Sequence, residues 1–185
     1  MKEGEFMVFE TISSPQDLKQ LSREDLHRVV DEARQALLEK TSQHGGHNGP
    51  NFGMVEMTVA MHYVFNSPVD KFTFDVSHQS YVHKMLTGRA QAFLDPAHYD
   101  DVSGYTNPKE SEHDLFTVGH TSTSLSLASG VAKARDLKDE AYNVVAGICG
   151  GFFFCGGGCG GGKQKQPKRG KKNGVFLNKK PTNPF

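Results

Sequence analysis

Three of the nine histidines stand where chemistry is easily arranged. His47 follows Gly45-Gly46 and precedes Asn48-Gly49-Pro50. His78 comes just after the run Phe72-Thr73-Phe74-Asp75-Val76, and His120 lies between Phe116-Thr117-Val118-Gly119 and Thr121-Ser122-Thr123-Ser124. Imidazole donates or accepts a proton near neutral pH. A helix N-terminus beside it offers free N–H groups and the positive end of a dipole, which suit phosphate. Three imidazoles at such turns could form a site that handles a phosphate and a carbonyl; taken singly, each could equally be a structural or surface histidine. Metal chemistry has weaker support. His44-x-x-His47 and His78-x4-His83 lack the further ligands of a zinc site, and Cys149, Cys155 and Cys159 contain no CxxC pair. No Gly-x-Ser-x-Gly elbow is present, so a serine hydrolase is not indicated.

The elements that must position these groups follow from periodicity and punctuation. Ser14-Pro15-Gln16-Asp17 and Ser22-Arg23-Glu24-Asp25 each read as a helix start. Leu26, Val29, Ala33 and Leu37 keep helical spacing, so the second helix is expected to run to about Lys40. Residues 42–53 carry four Gly, a Pro and two Asn, a composition expected to exclude regular structure. A helix with Val55, Val59, His62 and Tyr63 on one side is expected next, ending at Asn66-Ser67-Pro68. Then come a strand at 72–76, a helix from Ser77 through Leu86, and a surface loop over 95–114, read as mobile and of the length often used for function. A brief strand at 116–118, a turn over 119–124 leading into a helix that carries Leu125, Ala128, Val131, Ala132 and Leu137, and a buried strand at 143–148 complete the body. Small residues Ser126, Ala128, Ser129 and Gly130 suggest that the last helix packs closely on another element. Strands alternating with helices predict an α/β fold with a largely parallel sheet, whose carboxyl edge gathers the histidine turns.

Composition divides the chain. The 21 basic and 21 acidic residues cancel overall, but residues 1–149 hold 13 of the basic and all of the acidic ones (−8), leaving +8 for residues 150–185. The body has enough apolar residues for a core, no run long enough to span a membrane, and no secretory signal, so cytoplasmic is the expected location. After Ile148 the composition shifts to Gly, Phe, Lys and Pro, as if the reading frame had changed. This Gly/Lys-rich tail, 149–185, is expected to be disordered, and its basic charge is not read as a nucleic-acid site.

Several long motifs in register carry a resemblance. They are Gly46-His47 through Gly53, Val55 through Phe65, Asp75-Val76-Ser77-His78-Gln79-Ser80-Tyr81-Val82-His83-Lys84-Met85-Leu86-Thr87-Gly88-Arg89, Glu110 through Asp114, and Gly119-His120-Thr121-Ser122-Thr123-Ser124. Over about residues 9–148 the chain resembles the N-terminal domain of the 1-deoxy-D-xylulose-5-phosphate synthase family. The resemblance implies a thiamine-diphosphate-binding (pyrophosphate) α/β domain, thiamine diphosphate and Mg²⁺ as cofactors, pyruvate and glyceraldehyde 3-phosphate as substrates, and a homodimer. It implies that His78, Gly119, His120 and Thr121 contact the cofactor, with His47 and His120 facing the reacting centre. The transketolases share the Gly-His loop but not the block from Asp75.

The departures from the family pattern set further expectations. Gly150 stands where the family has its metal-binding Asp, and glycine offers Mg²⁺ no side-chain oxygen. Ser77 replaces a usual Gly and Val82 a usual Pro. Residues 1–148 are therefore read as a truncated, inactive piece of such an enzyme, with the strand ending at Ile148 left as an uncovered sheet edge. Two other readings stay open: a non-catalytic interaction fragment, and a transketolase-like subunit completed by another chain.

Overall fold

The computed structural model describes residues 7–147 and 174–177. After a 3-10 turn at Val8–Thr11, α1 (Pro15–Leu18) opens with Ser14 and Asp17 in a reciprocal capping box. Ser22 caps α2 (Arg23–His44) by accepting from the Asp25 amide. This helix passes the expected stop at Lys40 and ends at Gly45, whose φ of 82° suits a residue without a Cβ. Its buried stripe of Val29, Ala33, Ala36 and Leu37 meets Phe9, Leu18, Val55, Val82, Leu86 and Phe93 in the main core. Complete burial of each such Leu or Phe is worth roughly 1.5–3 kcal/mol.

The Gly/Pro-rich segment does hold regular structure, contrary to expectation: α3 (Asn48–Phe52) is a single short turn. Pro50 falls in its first turn, where a missing N–H costs nothing. In α4 (Val55–Val64), His62 is buried as expected, but Tyr63 faces solvent. Strand β1 (Lys71–Phe74) is followed by α5 (Tyr81–Lys84), which starts four residues later than expected. Val76 and Ser77 have φ of 60° and 64°, left-handed values that a helix cannot contain. A π-helical turn over Met85–Arg89, broken at Gly88, leads to α6 (Gln91–Leu94).

Residues 116–118 are not a strand. The Phe116 carbonyl accepts from Thr106 Oγ1 and the Val118 carbonyl from Ser77 Oγ, both at 2.6 Å, so hydroxyl groups satisfy acceptors that a strand would offer to a neighbour. Helix α7 (Ser124–Leu137) packs on β1 and on Val144–Gly147 as expected, but of Ser126, Ala128, Ser129 and Gly130 only Ala128 is buried there, against Val144 and Ala146, while the other three, Leu125 and Leu137 are exposed.

Strand β2 (Val144–Gly147) runs parallel to β1, in register from Lys71 opposite Val144 to Phe74 opposite Gly147. It is not a sheet edge. Strand β3 (Gly174–Leu177) pairs antiparallel on its other side, giving the order β1-β2-β3 and a mixed sheet rather than a wholly parallel one. The tail expected to lack structure thus contributes a strand at 174–177; the expectations for its other residues, Gly150 included, lie outside the described residues. No described helix is long and apolar enough to cross a membrane.

Candidate functional site

The turn between Gly46 and α3 carries His47, and the turn after β1 carries His78. The fold brings their rings to 5.2 Å, edge to face. Asn51 makes this possible. Its carboxamide is 1% exposed, and Nδ2 donates to the His47 carbonyl at 2.6 Å and the His78 carbonyl at 2.8 Å. Its Oδ1 accepts from the Tyr81 amide at 2.9 Å, so both donors and the acceptor are used. Sequence reasoning counted Asn51 only as loop punctuation. The available signal was an amide side chain in a segment too rich in Gly and Pro to satisfy its own backbone.

Tyr81 and Tyr105 close the site around His47, with ring centroids 6.2 and 5.3 Å away. The Tyr81 hydroxyl accepts from the His47 amide and lies 3.3 Å from His47 Nδ1. The contact at Nδ1 serves either tautomer: the hydroxyl donates to a bare Nδ1, leaving the proton on Nε2, or accepts from Nδ1–H. Burial lowers the His47 pKa, keeping the ring neutral at physiological pH. Space here is tight. A Cβ on Gly46 would come within 3.0 Å of the Tyr81 hydroxyl, and one on Gly104 within 3.4 Å of His47 Cε1.

His78 is 9% exposed, and its Nδ1 is buried without a hydrogen-bond partner. Burial lowers its pKa and the neighbouring His47 lowers it further, with Asp75 opposing. A buried, unpartnered ring nitrogen costs free energy unless something else meets it; His62 Nδ1 is buried in the same way, and what sets His78 apart is its place on a turn beside a second imidazole.

His120 is not brought to this pair. It is exposed in the segment before α7, its Nδ1 is 2.9 Å from the Thr121 carbonyl, and no ring contact among the described residues joins it to His47 or His78. Gly119 and Thr121 are exposed beside it. Because 116–118 is not a strand, the shared strand-to-helix position inferred for His120 does not hold. The start of α7 is also less free for phosphate than expected. Asp75 Oδ1 accepts from the Thr123 amide at 3.1 Å and the Ser124 amide at 3.5 Å, so a carboxylate already sits on that helix end.

Below the site runs a buried polar chain that sequence reasoning did not foresee. His62 Nε2 and His83 Nδ1 are 2.9 Å apart, and His83 Nε2 is 2.9 Å from Asp114 Oδ1. Arg89 holds Asp114 through two 2.8 Å bonds. Lys84, wholly buried, donates to Glu110 at 2.5 Å and to the Ser103 carbonyl at 2.8 Å. The 95–114 segment, read as a mobile loop, is thus tied to α5 and the turn after it by buried charges. Burial raises the Asp114 pKa, but Arg89 and His83 outweigh that and hold it well below the carboxylate range. Among the described residues, no group of three or more His, Cys, Asp or Glu is arranged to hold a metal ion.

Tested against thiamine diphosphate, the residues that could face such a cofactor are those of the His47/His78 turns. The unpartnered His78 Nδ1 and the His47 ring are groups a ligand would meet, while the described residues present no carboxylate set for Mg²⁺.

The chain has relatives among known proteins. The family model described as 1-deoxy-D-xylulose-5-phosphate synthase matches residues 9–177, reaching past Ile148 to the end of β3. A 1-deoxy-D-xylulose-5-phosphate synthase of Caldanaerobacter subterraneus is 55% identical over 149 residues, which is 80% of this chain and 24% of that protein. Those of Dictyoglomus turgidum and Corynebacterium diphtheriae are 50% and 51% identical over 150 and 152 residues, covering 81% and 82% of this chain and 24% of each relative. The chain thus spans about a quarter of the length of the curated relatives it matches. With that match extending over nearly all of its residues, the chain belongs to the 1-deoxy-D-xylulose-5-phosphate synthase family.

Proposed function

We propose that this chain supplies the His47/His78 end of a thiamine diphosphate site in a transferase that joins pyruvate, with loss of CO2, to glyceraldehyde 3-phosphate. The product, 1-deoxy-D-xylulose 5-phosphate, would feed isoprenoid, thiamine and pyridoxal phosphate synthesis. The supporting observation is the pair itself: two imidazoles held neutral by burial, edge to face, one with a buried unpartnered nitrogen.

When bound, thiamine diphosphate supplies a nucleophilic carbon and an electron sink. The protein's part is placement. In the tautomer that takes the Tyr81 proton at Nδ1, His47 offers Nε2–H to an oxygen gaining negative charge, and a preorganised neutral donor serves there without reorganising. His78 Nδ1 offers a contact to the cofactor. Tyr81, Tyr105 and Gly104 crowd one side of His47 and leave little room for water. Gly119, His120 and Thr121 join the site by family resemblance, from a segment that lies open to solvent.

The metal end is where this chain falls short. Mg²⁺ takes oxygen ligands including carboxylate, and Gly150 provides none where the family has Asp. We therefore read this polypeptide by itself as a weak cofactor binder without turnover, belonging to a cytoplasmic, homodimeric type of enzyme. Titration calorimetry tests this. Thiamine diphosphate should bind weakly and with no dependence on Mg²⁺, and Gly150→Asp should bring Mg²⁺-dependent binding at least about tenfold tighter, a gain of about 1.4 kcal/mol. Tight Mg²⁺-dependent binding by the unaltered chain would overturn the reading.

A further inference from the structure

We infer that Asn51 is the positioning residue of the site: its carboxamide sets the distance and angle between the His47 and His78 rings. The inference rests on the reading that those rings face the cofactor, and goes beyond it by naming what holds them. His47 and His78 are 31 positions apart on two turns with no strand or helix in common. Neither turn is regular: Gly45 and Gly46 have φ of 82° and 133°, and Val76 and Ser77 of 60° and 64°. Such turns do not by themselves fix where a side chain points. Asn51 ties them together at the carbonyls of the two histidines themselves, and takes the Tyr81 amide with its oxygen.

The carboxamide can face only one way. Reversed, its NH2 would meet the Tyr81 N–H and its oxygen would meet two carbonyl oxygens. The third contact extends the clamp, because Tyr81 is also the residue whose hydroxyl engages the His47 ring. One side chain thus fixes two ring-bearing turns and, through Tyr81, bears on the ring of one of them. An aspartate of the same shape keeps the acceptor for Tyr81 but turns both clamp bonds into oxygen–oxygen repulsion.

The test is Asn51→Asp in the full chain, read by ring-resolved histidine NMR. In the unaltered protein, a cross-relaxation peak between the His47 and His78 rings is expected, as are shifts of both ring signals when thiamine diphosphate is added to millimolar levels. In Asn51→Asp the ring-to-ring peak should vanish, the His78 pKa should rise towards that of a free imidazole as the His47 ring moves off, and the cofactor-induced shifts should be lost. The His62 and His83 signals should stay in place, which separates lost positioning from general unfolding. A variant that keeps the ring-to-ring peak and the shifts overturns the inference. A clamp that behaves as expected while thiamine diphosphate moves neither ring in the unaltered protein overturns the functional reading and leaves the clamp standing. If Asn51→Asp does not fold, scalar couplings from the Asn51 side-chain nitrogen to the His47 and His78 carbonyl carbons decide in the unaltered protein: both present supports the clamp, either absent overturns it.

Discussion

The rings of His62 and His83 lie 5.0 Å apart, stacked, with a 2.9 Å nitrogen–nitrogen bond between them; those of His47 and His78 lie 5.2 Å apart and meet edge to face. The first pair is wholly buried and ends on a carboxylate, with three of its four ring nitrogens engaged and the outer one, His62 Nδ1, without a hydrogen-bond partner. Asp114 is ionised, so His83 must donate to it through Nε2, accept at Nδ1, and receive its proton bond from His62. The second pair has no such anchor. It is held through its backbone carbonyls by Asn51, and its ring nitrogens are left to a tyrosine hydroxyl or to nothing. Burial lowers the pKa of all four. A histidine pair tied up by its ring nitrogens holds structure; a pair tied down by its backbone keeps its rings available for a ligand.

Breaking the wholly buried pair should cost the most. Asp114→Ala leaves the Arg89 guanidinium and the His83 N–H without their shared acceptor, and losing one partner of a buried charge pair costs about 3–5 kcal/mol. Urea unfolding measures this, and a loss below about 1 kcal/mol would mean the chain is not what ties the 95–114 segment down.

His62→Phe should cost about 1–3 kcal/mol, because His83 Nδ1 loses its donor. It should also change the response to acid. Histidines whose folded pKa is lowered stay neutral when folded and protonate on unfolding. Their stabilising effect is complete above the unfolded pKa of about 6.5 and is lost as pH falls below it, at up to about 1.4 kcal/mol per pH unit for each group. The variant should lose about one group's share of that slope between roughly pH 6.5 and 5. An unchanged slope would contradict the burial argument.

Much of the frame was legible in the sequence. Caps at Ser14 and Ser22, the 3.6-residue stripe of α2, and the apolar runs of β1 and β2 are local signals that burial then completes. What failed were inferences about partners far along the chain. The strand at 116–118 gave way to hydroxyls from Ser77 and Thr106, and the free start of α7 to a carboxylate from Asp75. The loop at 95–114 gave way to charges from Lys84 and Arg89. Of the candidate site, His47 and His78 were legible because glycine and an apolar run flag their turns, whereas Asn51 shows its role only once the chain has folded back to bring His78, 27 positions further on, against it. Ser77 has a φ of 64°, a conformation that glycine takes most readily, and its strain is set against the Oγ bond to the Val118 carbonyl.

The smallest effect belongs to His120. It is exposed, so His120→Ala should change stability by no more than about 0.5 kcal/mol. A larger loss in urea would show that the segment before α7 is held by that ring, and would bring His120 closer to the other two.

The most direct test of the central claim is a pH titration of the His47, His78, His62 and His83 ring signals by NMR, with and without thiamine diphosphate. The account requires all four to titrate below the free imidazole, and the cofactor to move His47 and His78 alone. Cofactor-dependent shifts in the His62/His83 pair, or none in the His47/His78 pair, would contradict it.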